Sequence, residues 1–220
     1  MPDIDKINNV AVADISKLDS ITFADGQKVN NQDVSLVTDA HTLISTHTAD
    51  GSSINIDITS GIDSTYDVYE FHFINIHPSG TGSSGQLLFQ VNASGGSGFN
   101  ETITSTAFRA YQQEDDSGGS IDYQATEDQA QGTAYEIIME GIHNDNDTGG
   151  SGILTLYAPS STTYVKHFMS MTNTTLGAGT KQDFHAGYIN TTSAIDEISF
   201  KMSSGSMDAG VIKMYGLATS

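Results

Sequence analysis

The chain has no cysteine and no tryptophan, and only 3 prolines among its 220 residues. Without cysteine, disulfides and thiolate metal sites are excluded. Without tryptophan, a sugar-binding face loses its largest stacking ring. Basic residues are scarce as well: 8 stand against 27 acids, a formal net charge of −19. That balance counts against nucleic acid and anionic membrane surfaces, which need clustered Lys and Arg. Self-repulsion of such a chain is damped in salt, which screens charges beyond about 10 Å. No apolar run approaches the roughly 18 residues of a membrane-spanning helix. The opening Met1-Pro2-Asp3-Ile4-Asp5 lacks the basic and apolar regions of a signal peptide, so synthesis in a cytoplasm without secretion is expected. No G-x-S-x-G, H-E-x-x-H or phosphate-loop motif is present, and a non-enzymatic role is expected.

What remains is β-forming. The chain is 37% hydrophobic, with 22 glycines and many Ser, Thr and Asn at candidate turns. Alternating apolar and polar positions predict strands over 66–76, 86–91, 102–110, 134–142, 153–157, 164–171 and 184–189. Two more close the sequence at 195–202 and 211–217, joined by a Gly/Ser turn that reads as a β-hairpin. No amphipathic helix of ten residues appears among them. Many short strands with turn-rich connections predict an all-β fold, an antiparallel β-sandwich of jelly-roll type with a short N-terminal arm.

Three regions are expected. Residues 1–30 form an arm, 31–63 a connecting region of short strands, and 64–220 the sandwich. The arm holds a repeat at an offset of 11 residues: Ile4-Asp5-Lys6-Ile7-Asn8-Asn9-Val10 is echoed by Ile15-Ser16-Lys17-Leu18-Asp19-Ser20-Ile21. Ile4, Ile7, Val10, Ile15, Leu18 and Ile21 are too few to build a core alone. They pack either on the chain's own domain or on a partner. Ser53-Ile54-Asn55-Ile56-Asp57-Ile58-Thr59 alternates cleanly and reads as an edge or linking strand.

Candidate sites are sparse. Asp145-Asn146-Asp147-Thr148-Gly149-Gly150 offers hard oxygen ligands at alternating positions, as Ca²⁺ requires. It lacks the flanking helices and the later Glu of an EF-hand, so a plain hairpin loop is the competing account. Glu114-Asp115-Asp116 has the same two readings. Tyr111, Tyr123 and Tyr157 could form a sugar-stacking platform, or pack as strand-end side chains. His72 and His77 fall on opposite parities of one strand, so a shared ligand role would need a bend between them. His143, His167 and His185 are isolated in sequence. Acids are so abundant that a carboxylate pair carries no specificity for glycosidase chemistry.

The arm's Lys-Ile-Asn-Asn-Val and Lys-Leu-Asp-Ser-Ile copies resemble N-terminal segments of tailed-phage virion proteins. The stretches 66–78, 89–99 and 195–217 resemble jelly-roll-type structural proteins of marine phages. Gly210-Val211-Ile212-Lys213-Met214-Tyr215-Gly216-Leu217 is the nearest likeness. The resemblance implies a non-enzymatic virion component: a tail fibre or appendage, or alternatively a capsid decoration protein. It implies a homo-oligomer, with a trimer favoured, and other virion proteins or a host-surface glycan as partners. A calcium-assisted carbohydrate-binding module is the rival from another class.

Overall fold

The computed structural model describes residues 6–7, 10–11, 28–29, 32–33, 41–80, 85–175 and 177–217. The chain divides into two units, Met1–Ala40 and His41–Ser220. In the first, β1 (Lys6–Ile7) pairs antiparallel with β2 (Val10–Ala11), and β3 (Lys28–Val29) with β4 (Gln32–Asp33). Ile7 and Val10 are cross-strand partners there. Ile4, Ile15, Leu18 and Ile21 lie outside the described residues.

The second unit is a β-sandwich, with no helix among the described residues. Its strands are β5 (His41–Thr48), β6 (Asn55–Ile58), β7 (Val68–Pro78), β8 (Gly85–Ala93), β9 (Ile103–Gln113), β10 (Gly119–Tyr123) and β11 (Ala130–Gly132). Then come β12 (Glu136–Ile142), β13 (Gly150–Tyr157), β14 (Lys166–Thr175), β15 (Gly179–Ile189), β16 (Ile195–Met202) and β17 (Met207–Leu217). The wide sheet runs β10-β9-β15-β14-β13-β7-β17-β5, with β11 also paired to β9. The narrow sheet runs β12-β8-β16-β6. All pairings are antiparallel.

β5 and β6 come from the region expected to be a connector. They are edge strands of the wide and narrow sheets, and the boundary lies at Ala40/His41. The closing hairpin is also revised. β16 pairs with β8 and β6, whereas β17 pairs with β7 and β5, so the turn at 203–206 crosses from one sheet to the other.

The core fills the space between the sheets. On β7, Tyr69, Phe71 and Phe73 alternate inward, and Phe71 and Phe73 meet Phe200 of β16 at ring separations of 5.4 and 5.3 Å. Phe89 of β8 meets Phe168 of β14 edge-on at 5.0 Å. The Tyr69 hydroxyl donates to the Asp63 carbonyl at 3.0 Å, which satisfies the one polar atom this ring buries.

A bulge then shifts β7 by one residue. Asn75 sits at φ 50°, the register slips against both β13 and β17, and the buried positions become Ile76 and Pro78. This is the bend that places His72 and His77 on the same face. They nonetheless keep separate partners: His72 Nε2 lies 2.9 Å from Glu70 Oε2, and His77 Nδ1 lies 2.6 Å from Asp208 Oδ1.

The narrow sheet ends at β12, while the wide sheet continues beyond it through β15, β9 and β10. An edge strand presents unpaired backbone groups, and here side chains from the wide sheet bond them. Thr172 Oγ1 donates to the Ile138 carbonyl at 2.8 Å, and Thr174 Oγ1 to the Glu140 carbonyl at 3.1 Å. The Glu140 N–H donates to Asp183 Oδ2 at 3.0 Å. These contacts account for polar residues at inward positions of β14 and β15.

Candidate functional site

The overhang beyond β12 holds a cluster of ionisable side chains between the wide sheet and segment 124–129. That segment is clipped to β9: the Ser105 N–H donates to the Gln129 carbonyl at 2.9 Å, and the Gln124 N–H to the Ala107 carbonyl at 2.9 Å. Inward parity on β15 delivers Lys181, Asp183 and His185, all buried, and β9 adds Arg109. β12 contributes Glu136 and Glu140, and the clipped segment contributes Glu127.

Glu140 Oε2 accepts from both cations, Lys181 Nζ at 2.7 Å and Arg109 at 3.0 Å. Burial raises the Glu140 carboxyl, but Lys181 beside it outweighs that and holds it below its ordinary value. The other carboxyls are pushed the opposite way. Burial lifts Glu127 well above the usual carboxylate range, helped by the negative charge of Glu140. Burial lifts Glu136 to about 7 and also raises Asp183. Burial pulls His185 down to about 4, with Lys181 adding to the effect, so its imidazole is neutral at pH 7.

His185 is the centre of this arrangement. Its side chain is 0% exposed, and neither ring nitrogen has a hydrogen-bond partner among the described residues. Nε2 faces Glu127 Oε2 at 3.8 Å, and Nδ1 faces Glu136 Oε1 at 4.0 Å. Both of those oxygens, and Asp183 Oδ1, likewise make no hydrogen bond among the described residues. Donor atoms of Glu127, Asp183 and His185 all lie within 4.8 Å of one another.

The outer face of the same strands is the inverse. On β14, His167, Met169, Met171 and Asn173 point outward. Directly paired residues share a face, so the registers carry this assignment across the sheet. β15 presents Thr180, Gln182, Phe184, Ala186 and Tyr188; β9 presents Thr104, Thr106, Phe108, Ala110 and Gln112. β13 presents Ser151, Ile153 and Thr155, and β10 presents Ile121 and Tyr123. None of these side chains is an acid, a lysine or an arginine.

One transverse row reads Tyr123, Phe108, Phe184, Met171, Ile153, His72, Lys213, and charge appears only in the His72–Lys213 part. The Phe108 and Phe184 rings stack at 4.7 Å and 8°. Phe108, Met169, Met171, Ile121 and Tyr123 are all exposed. In a chain of net charge −19, β9 and β15 turn their charges inward and show water an uncharged face of aromatic, alanine, threonine and glutamine side chains.

The sites expected from sequence are dispersed. Asp145 and Asp147 lie in the β12–β13 loop, which is closed by its own threonine: Thr148 Oγ1 donates to the carbonyls of Asp145 at 2.8 Å and His143 at 2.9 Å. The Asp145 carboxyl is largely exposed and lies 3.8 Å from His143 Nδ1. A polar cleft of about 640 Å³ adjoins Asp147, His77 and Asp208. The three tyrosines do not converge. Tyr111 pairs with Lys181 and shares its inward face, opposite to Tyr123 and Tyr157. Tyr123 and Tyr157 are separated by three intervening strands, about 19 Å at the usual spacing.

Sequence reasoning missed Glu127, Glu136, Asp183 and His185 as a group. A signal was present in Lys181-Gln182-Asp183-Phe184-His185, where three ionisable residues alternate on one side of a strand. Starting that strand at 184 rather than 179 hid it.

The chain matches no protein-family model, no curated protein and no solved structure.

Proposed function

We propose that this protein is a non-enzymatic structural component that assembles with copies of itself through the outer face of β10, β9, β15, β14 and β13. The observation that carries this is the inversion of polarity on β9 and β15. Charges there are turned inward at a cost, and the outward positions are uncharged, with aromatic and apolar side chains interspersed among Thr and Gln. Exposed contiguous apolar surface of this kind marks interaction sites. A second copy is the occupant that the charge balance favours, because two strongly acidic chains repel everywhere except across a neutral zone. Five strands at about 4.8 Å, averaging about 30 Å in length, present roughly 700 Å². A stable interface takes about 800 Å² per partner, so the face is of the right order.

The nested pairing of the strands supports a jelly-roll reading of the sandwich. β5 pairs with β17, β6 with β16, β7 with β13 and β8 with β12, as in one long hairpin rolled over itself. On that reading β9–β11 and β14–β15 are two insertions that widen one sheet. They carry both the uncharged face and the buried cluster. The setting on an exposed phage particle is supported by the sequence resemblance.

Sedimentation equilibrium of the full chain tests the assembly. The expected result is a defined oligomer whose mass falls toward one chain only on strong dilution. A flat, self-complementary face pairs most simply about a two-fold axis, whereas a ring of three needs two different faces. A mass of three chains would support the trimer and shift the contact elsewhere. A monomer at high protein concentration would overturn the proposal.

A further inference from the structure

We propose that Glu127, Asp183 and His185 form a binding site for one divalent transition-metal ion of the zinc class, with Glu136 as the carboxylate that orients the histidine. Three observations point there together. The first is unmet bonding. Glu127 Oε2, Asp183 Oδ1 and both nitrogens of His185 are buried and make no hydrogen bond among the described residues, and buried polar atoms of native proteins nearly always make one.

The second is geometry. Zinc holds nitrogen and oxygen donors at about 2.1 Å, which sets tetrahedral ligands about 3.4 Å apart. His185 Nε2 and Glu127 Oε2 stand at 3.8 Å, and all three residues offer a donor within 4.8 Å. Closure shortens the 3.8 Å pair by about 0.4 Å and no pair by more than about 1.4 Å, within reach of side-chain torsions of a glutamate on the clipped segment. On the far side of the ring, Glu136 Oε1 lies 4.0 Å from Nδ1. A carboxylate there accepts the Nδ1 proton and leaves Nε2 free for the ion, the common outer-shell arrangement at histidine-ligated metals.

The third is charge. Glu140 already serves Lys181 and Arg109. Four carboxyl groups share those two cations, and burial disfavours the charged forms of Glu127, Glu136 and Asp183; a dication would displace their protons, let all four ionise and leave the cluster neutral. Lys181 Nζ is 3.4 Å from Asp183 Oδ1 but is held by Glu140 at 2.7 Å, so it stands beside the ion position without filling it. An imidazole donor in a buried site suits zinc, cobalt or nickel better than calcium, which takes six to eight oxygens. Such an ion would tie segment 124–129 to β15 and brace the widened sheet.

The test uses the full chain, stripped with EDTA and titrated with zinc sulfate in a calorimeter. One equivalent should bind and raise the thermal midpoint. Glu127→Gln should abolish that rise. Glu136→Gln should weaken binding by about tenfold to a hundredfold. Asp145→Asn with Asp147→Asn should change nothing. X-ray absorption at the zinc edge of the wild-type protein should show a nitrogen/oxygen shell containing one imidazole, a readout that needs no variant to fold. No heat and no thermal shift at large zinc excess would overturn the proposal. So would binding that survives Glu127→Gln unchanged, or a spectrum without imidazole scattering.

Discussion

Replacing Phe108 by aspartate is the sharpest probe of the outer face. Phe108 is 45% exposed and lies in the uncharged row, stacked on Phe184. A phenylalanine offers about 200 Å² to a partner, so roughly 90 Å² remains to be covered. At about 25 cal/mol per Å² that is about 2 kcal/mol. In a two-fold interface the residue occurs twice, which doubles the loss to roughly 4 kcal/mol. Every 1.4 kcal/mol is about a tenfold change in affinity, so dissociation should become about a thousandfold easier. The facing like charges add to this. Mass photometry across a dilution series reads the shift, and far-UV circular dichroism checks that the sandwich is intact. Leu43→Asp is the control: Leu43 is exposed to a similar degree, 49%, but lies on edge strand β5 beyond the charged residues. Association that is equally strong in wild type and Phe108→Asp, or equally weakened by Leu43→Asp, would refute the assignment of the face.

Three further outcomes are expected. Phe200→Ala removes a fully buried ring that touches Phe71 and Phe73, and should cost about 3–5 kcal/mol in urea unfolding. Thr172→Val keeps the shape but leaves the Ile138 carbonyl of edge strand β12 unpaired, so a loss of about 1–3 kcal/mol is expected. The third concerns His77. Burial lowers its affinity for a proton, but the hydrogen bond to Asp208 and the Asp145 carbonyl outweigh it and raise the imidazole above its ordinary 6.5. A group raised on folding stabilises fully below its unfolded value and loses that contribution as pH climbs through the folded one. Wild type should therefore lose stability relative to Asp208→Asn as pH rises from below 6.5; identical pH profiles would remove the pair from the account.

Much of the sandwich was legible because alternation reports which residues share a side of a strand. The 66–76 and 134–142 stretches fall on β7 and β12 within two residues, since the first alternates over Tyr69, Phe71 and Phe73 and the second is dense in isoleucine between turn residues. Alternation does not report the pairing partner. That is why 195–202 and 211–217 read as a hairpin although they belong to opposite sheets. Nor does it say which side faces inward. On β15 the polar side, Lys181, Asp183 and His185, is the buried one, because it covers the end of the narrow sheet. A rule that sends charge to the surface assigns β9 and β15 the wrong way round. The bulge at Asn75 is invisible to a strict period of two, and it alone reverses the parity of His77. The site was hidden for a related reason: Glu127, Glu136 and His185 converge only through tertiary packing.

β17, the last of the described strands, is slotted between β7 and β5 rather than added at a rim. On a ribosome, residues 41–48 would emerge long before the segment that holds them in the sheet. Until residues 207–217 arrive, β7 offers a free ladder of amides and carbonyls with aromatic neighbours, a target for stray chains. Such long-range closure makes folding slow and late.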